Sequence, residues 1–151
     1  SIEPYPRDFL YKGVSSLKKL IKKNVQEIDL NFFNALSEND ILFIDSSHVV
    51  KIGSDVCYEI LEILPRLNKG VIIHFHDIFL PAEYSKNFII ENLFFWNEQY
   101  LLHAFLTFND FFEVIWGSNY MHLKYPEKLE KAFSKYKGKG AGGSLWIRKI
   151  K

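Results

Sequence analysis

Asp40-Ile41-Leu42-Phe43-Ile44-Asp45-Ser46-Ser47-His48 ends an apolar run in a carboxylate and sets a histidine three residues later. A second run, Val71-Ile72-Ile73-His74-Phe75-His76-Asp77, ends in another histidine–aspartate pair. Short apolar runs separated by one helix read as neighbouring parallel strands buried on both faces. Ligands of an open parallel sheet bind beyond the carboxyl ends of its strands. Asp45, His48, His76 and Asp77 are therefore expected on one rim, as a candidate active site. Two carboxylates on adjacent strand ends can hold a hard divalent cation such as Mg²⁺, completed by waters or substrate oxygens. A histidine beside them can move a proton, because imidazole titrates near neutrality.

The elements that must position these groups follow from pattern and punctuation. Ile2-Glu3 reads as a strand end, turned by Pro4 and Pro6. Ser15 or Ser16 can cap a helix to Lys23 with Leu17, Leu20 and Ile21 inward. Val25 to Ile28 reads as a strand, Phe32, Phe33 and Leu36 as a helical turn, and Ile41 to Ile44 as the central strand. Ser54 caps the next helix, Asp55 suits its positive end, and the apolar stripe runs to Leu64. Pro65 predicts a kink or terminal turn, and Asn68-Lys69-Gly70 a stop before the strand Val71 to Phe75.

A loop from Ile78 to Ser85 follows, then a helical turn within Phe88 to Phe95 and a helix from Asn97 to Phe108. Phe112 to Trp116 reads as a strand and Gly117 to Met121 as a turn. Pro126 to Tyr136 is a lysine-rich helix or loop, Lys137 to Gly143 a flexible glycine stretch, and Ser144 to Ile150 the final strand. The alternation requires right-handed parallel crossovers. The last two strands form a hairpin with a long insert, so one strand is antiparallel.

The chain has 151 residues, which suits one domain. Hydrophobic residues make up 48% and aromatics 17%, enough for a real core, and a net charge of +1 gives no global pull towards nucleic acid or an acidic membrane. No apolar stretch reaches the roughly 20 residues of a membrane span. The single cysteine, Cys57, excludes an internal disulfide and suits a reducing, cytoplasmic setting. It lies in a helical stripe and reads as a small buried hydrophobe. Ser1-Ile2-Glu3-Pro4 looks like the end of a strand rather than a natural start, so a piece of a longer protein is expected.

The strand order and three phrases resemble the class I S-adenosylmethionine-dependent methyltransferases. The phrases are Ile41-Leu42-Phe43-Ile44-Asp45-Ser46-Ser47-His48, His74-Phe75-His76-Asp77 and Gly142-Gly143-Ser144-Leu145-Trp146. They are similar to a bacterial branch containing macrocin-type sugar O-methyltransferases and the cephalosporin hydroxylase group. The resemblance implies a Rossmann-like α/β fold, with a mostly parallel sheet flanked by helices and a reversed last strand. The family's first strand and glycine-rich loop have no counterpart here, so residues 1–151 read as one partial methyltransferase domain.

It further implies S-adenosylmethionine as cofactor, with Glu3 at the ribose, Asp29 towards the adenine, and Asp45 and Ser46 nearby. His48 is the implied general base, with Asp45 and Asp77 as metal ligands. Where those enzymes carry a second acidic residue before the last carboxylate, this chain has His76, which would join Asp45 and Asp77. Imidazole suits Mn²⁺ better than Mg²⁺. The ion would orient an acceptor hydroxyl and lower its pKa. The implied reaction is O-methylation of a small hydroxylated acceptor such as a sugar, with no nucleic-acid or membrane partner. Loss of a first strand would leave an exposed sheet edge, which favours self-association into a homo-oligomer.

Plainer readings stand beside these. Asp45 caps the loop after its strand, His48 bonds to backbone, and His74 is a core histidine. Glu3 is an exposed strand-end carboxylate. Trp96, Tyr100 and Phe105 belong to the core rather than a substrate wall, while Tyr84, His103 and Tyr120 border the acceptor pocket. At the level of function, two alternatives remain: a non-catalytic or truncated Rossmann-like domain, and a dinucleotide-binding oxidoreductase domain, for which Glu3 would also suit a ribose.

Overall fold

The computed structural model describes residues 1–136, 138 and 142–151. Its centre is a four-stranded sheet in the order β1-β2-β4-β3. β1 is Ile41–Ile44 and β2 is Ile72–His76, followed by β3, Phe112–Gly117, and β4, Ser144–Lys149. β1 and β2 pair in parallel, with Phe43 opposite His74 and Ile44 opposite Phe75. β4 lies antiparallel between β2 and β3. Three strands thus share one direction and the last is reversed, as expected. Only one ladder is parallel, so "mostly parallel" holds for strand direction and not for pairing.

Within the link between β1 and β2, residues 55–66 are helical, between the loops 45–54 and 67–71. α2 (Asp55–Tyr58) is capped by Ser54 Oγ, which accepts from Cys57 N at 3.2 Å. It continues through a π turn, Glu59–Ile63, into α3, Leu64–Arg66. The widened turn ends two residues before Pro65, which has no N–H to give to a tighter ladder. Val56, Ile60, Ile63 and Leu64 of this helix pack with Ile44, Ile73, Phe75 and Ile147 of the sheet. Each such side chain contributes about 1.5–3 kcal/mol on full burial. Cys57 is half-buried, its thiol donating to Lys51 O, rather than fully enclosed. Gly70 ends the connection at φ +88°, where a Cβ would meet Glu38 at 2.6–2.9 Å.

After β2 come α4 (Lys86–Ile90) and α5 (Glu98–Leu106), whose Leu102 is fully buried against the same core. α6 (Ser118–Lys124) and α7 (Pro126–Ala132) fill the insert between β3 and β4. Ser118–Lys124 corrects the expected turn at Gly117 to Met121. The expected flexible stretch Lys137 to Gly143 falls largely outside the described residues. On the opposite sheet face Phe43 stacks on His74 at 4.3 Å, and Trp146 meets His74 edge-on at 4.4 Å. His74 is buried there, as a core histidine, and burial lowers its pKa.

The N-terminal third departs furthest from expectation. No helix spans Ser15 to Lys23; the short helix is α1, Asp8–Tyr11. Ile21 instead makes an isolated parallel bridge with Ile2, through Glu3 N to Ile21 O (3.0 Å) and Ile21 N to Ser1 O (2.9 Å). Tertiary pairing overrides the helical pattern there. Val25–Glu27 is a 3-10 turn, not a strand, closed by reciprocal Asn24–Glu27 capping. Leu30–Ala35 is a second 3-10 helix, which matches the helical turn expected around Phe32. Among the described residues no helix is long and apolar enough to cross a membrane.

Candidate active site

β1 and β2 run side by side and deliver Asp45 and Asp77 to the same rim. Two residues there adopt left-handed backbone, His48 at φ +59° and Asp77 at φ +53°. Such conformations are uncommon outside glycine and cluster where structure over-determines them. At Asp77 the reversal takes the chain off the strand and brings its carboxylate towards His48. At His48 it folds the imidazole inward, leaving the residue 6% exposed.

The imidazole is held through one nitrogen and faces two carboxylates with the other. Nδ1 lies 2.7 Å from Glu98 Oε2. Nε2 faces Asp45 Oδ1 at 3.5 Å and Asp77 Oδ2 at 3.9 Å. The Trp96 ring lies 4.4 Å away, tilted over the imidazole. Burial opposes charge on His48, but the hydrogen bond and charge of Glu98, with the charges of Asp77 and Asp45, outweigh it and raise its pKa above 6.5. Burial pushes Glu98 up as well.

Glu98 is the middle of a polar triplet, Asn97-Glu98-Gln99, that ties the two rim loops to α5. Asn97 Oδ1 accepts from Val50 N at 2.5 Å, while Asn97 N and Glu98 N both donate to His48 O. Gln99 Oε1 accepts from Phe79 N, its Nε2 donates to Ala82 O, and its backbone N donates to Tyr84 OH. Glu98 and Gln99 are each 1% exposed. Asp55 adds a further tie, accepting from Ser47 N at 2.9 Å and from Ser47 Oγ.

The structure gathers Asp45, His48 and Asp77 as expected and adds Glu98. His76 does not join them. Strand alternation keeps its ring on the opposite face, with centroids 6.0 Å from Phe43 and 5.8 Å from His74, and it reaches only Asp77 Oδ1, at 3.7 Å. Among the described residues no three His, Cys, Asp or Glu side chains are placed to hold a metal ion. The expected triad Asp45, His76 and Asp77 is therefore corrected to a histidine flanked by carboxylates.

Glu3 and Asp29 make their bonds elsewhere. Glu3 Oε1 accepts from Tyr5 N, and Asp29 Oδ1 caps a 3-10 helix through Asn31 N. Ser46 Oγ is buried without a partner among the described residues. Trp96 is part of the site rather than the core. Tyr84 is buried against Trp96 and Phe79, not open to a ligand. His103 and Tyr120 do border an open cleft of about 400 Å³, together with Leu80 and Pro81 just beyond Asp77.

Residues 1–78, just over half of the chain, match the methyltransferase domain family. The chain belongs to that family. The matched span contains Asp45, Ser46, His48, His76 and Asp77, while Glu98 lies beyond it. Methyltransferase domains in general use S-adenosylmethionine. An uncharacterised protein of Archaeoglobus fulgidus is 48% identical over 42 residues, 26% of this methyltransferase domain and 19% of the relative. The chain thus spans about a fifth of the length of that relative. No solved structure matches it.

Proposed function

We propose that the domain methylates a hydroxyl of a small polar acceptor, such as a sugar or secondary metabolite, with His48 as general base. The observation that carries this reading is the 2.7 Å contact between His48 Nδ1 and Glu98 Oε2. It fixes the proton on Nδ1 and leaves Nε2 as the basic nitrogen, on the side of the strand-end carboxylates. S-adenosylmethionine, when bound, supplies a methyl carbon made electrophilic by its sulfonium sulfur. His48 Nε2 takes the hydroxyl proton, and Glu98, Asp45 and Asp77 stabilise the imidazolium that forms.

The same carboxylates suit an acceptor rich in hydroxyl donors, and alignment of that acceptor supplies much of the rate. The cleft beside Leu80, Pro81 and Tyr120 supports a wall for its apolar parts. Glu3 and Asp29 each engage a local backbone N–H through one oxygen, which leaves the other for a ribose hydroxyl or the adenine amine. Buried Ser46 Oγ is a further group suited to the cofactor.

The test is transfer of labelled methyl from S-adenosylmethionine to a panel of sugars and vicinal diols by the natural full-length protein. His48→Gln is run alongside. The expected result is transfer by the parent and a loss of about 10²- to 10⁴-fold in the variant, with cofactor binding retained. Equal rates in parent and variant would remove His48 from the mechanism. Cofactor binding without transfer to any hydroxyl would remove the O-methylation reading.

A further inference from the structure

The His48 ring is bonded at one point. The 2.7 Å contact of Nδ1 with Glu98 Oε2 fixes that nitrogen, while the carboxylates facing Nε2 stand at 3.5 and 3.9 Å. One hydrogen bond locates an atom of the ring but not its plane, because the imidazole can still swing about it. The plane is left to packing, and the indole packed on His48 is that of Trp96, with centroids 4.4 Å apart and planes at 46°. Trp96 is itself braced. Phe94 stacks on it at 4.8 Å with planes 9° apart, Phe88 meets it edge-on at 5.3 Å, and Tyr84 at 6.0 Å. Stacked and edge-on contacts hold aromatic rings in defined orientations. The Phe94 stack is not a by-product of core packing, since Phe94 is 41% exposed. The chain bends to make it: Leu93 takes left-handed backbone at φ +55°, and Phe94 N donates to Phe88 O at 2.8 Å. A left-handed leucine is uncommon and persists where its surroundings demand it. Directly after Trp96, Asn97 N donates to His48 O at 3.0 Å, so the segment is tied to the main chain of the histidine as well as lying on its ring.

We propose that Trp96 is a positioning residue for His48, an indole braced by Phe94 that sets the plane of the imidazole and so the direction in which Nε2 meets the acceptor hydroxyl. A reacting group must be held within roughly 10–20° of its productive direction by neighbours that are themselves locked. Glu98 constrains the ring at Nδ1, and the indole constrains its rotation about that bond. The indole carries no charge, so it orients the ring without adding to the field of Glu98, Asp45 and Asp77. The proposal rests on His48 as the base, but its first test needs no methyl transfer.

The experiment reads the His48 ring by NMR in this chain and in two variants, Trp96→Leu and Trp96→Phe. In the unsubstituted protein the expected result is a nuclear Overhauser contact between the His48 and Trp96 rings and a single neutral tautomer. Trp96→Leu should release the ring into a mixture of the two tautomers, and Trp96→Phe should keep one. In the natural full-length protein Trp96→Leu should lower kcat by about 10- to 10²-fold with the acceptor KM unchanged, and Trp96→Phe should restore most of the rate. Absence of the ring contact, or mixed tautomers in the unsubstituted protein, would overturn the proposal. So would a single tautomer retained in Trp96→Leu, which a merely structural tryptophan predicts. A loss confined to KM would overturn it too, by making Trp96 a wall of the acceptor pocket. The unsubstituted protein alone decides the first outcome, so a variant that fails to fold does not spare the proposal. Ring contact and tautomer response without methyl transfer to any hydroxyl would support the positioning and count against the O-methylation reading alone.

Discussion

His48 Nδ1 and Glu98 Oε2 lie 2.7 Å apart although 50 residues separate them in the chain. The contact joins the loop after β1 to the first turn of α5, and both partners are buried. The same helix start also holds the backbone of the histidine, through Asn97 N and Glu98 N on His48 O. Ring and main chain are thus fixed from one direction, leaving Nε2 directed at the rim.

Replacing Glu98 with Gln keeps the shape and removes the charge. Burial then dominates, and the His48 midpoint should fall from its raised position towards or below 6.5. A base must be neutral to accept a proton, so the acid limb of the pH–rate profile should move to lower pH. The rate should fall by about tenfold or more, because the amide no longer enforces one tautomer. A limb that stays where it was would show that Glu98 does not set the basicity of His48.

The convergence of Asp45, His48 and Asp77 was legible because apolar runs ending in carboxylates locate strand ends, and parallel strands bring those ends together. Glu98 was not. It sits at a helix start after a run of aromatics, where an acid ordinarily serves the helix dipole. The one available signal is the polar triplet Asn97-Glu98-Gln99, too short to announce that two of its members are buried. The left-handed turns at His48 and Asp77 carry only a weak mark in residue type, since histidine and aspartate enter that region more readily than other side chains but do so in a small minority of positions. The lysine-rich Ser15 to Lys23 stretch has helical spacing, but a pairing with Ile2 claims Ile21. His76 was misassigned because adjacency to Asp77 hides strand alternation.

Gly143 sets the position of Asp77. Its carbonyl accepts from Asp77 N at 2.8 Å, and a Cβ there would stand 2.9 Å from Asp77 Cα and 2.6 Å from Phe79 Cζ. Gly143→Ala should cost about 1–3 kcal/mol of stability by overpacking and should lower the His48 midpoint as Asp77 withdraws. Denaturant melts with a histidine titration measure both. A variant with parental stability and an unmoved midpoint would mean that the loop is not pinned.

Gln99 closes the loop over the far side of the site. Gln99→Ala removes the partners of Phe79 N and Ala82 O, at about 1–3 kcal/mol for each group left unsatisfied. Amide exchange across residues 78–84 should accelerate well before α5 is affected. Protection unchanged in that loop would contradict the role given to Gln99.

Glu59 should make stability fall with pH. Its folded pKa, about 8, lies above an ordinary value of 4.5, so the folded state holds a proton that the unfolded state releases between those pH values. Stability is then lost as pH rises from the lower value to the higher and levels off beyond it. At roughly 1.4 kcal/mol for each pKa unit, the total reaches several kcal/mol. Glu59→Gln should flatten this slope, so its advantage over the parent grows from pH 5 to pH 8 in urea melts. Parallel stability curves would refute the assignment of a protonated Glu59.

The most direct measurement is the ¹⁵N spectrum of the His48 ring as a function of pH. An oriented base requires the neutral ring to carry its proton on Nδ1, with Nε2 bare, and a midpoint above 6.5. Observation of that tautomer and midpoint, both lost in Glu98→Gln, is the predicted result. A neutral ring protonated on Nε2, or a midpoint at or below 6.5 in the unsubstituted protein, would contradict His48 as the base of this methyltransferase domain.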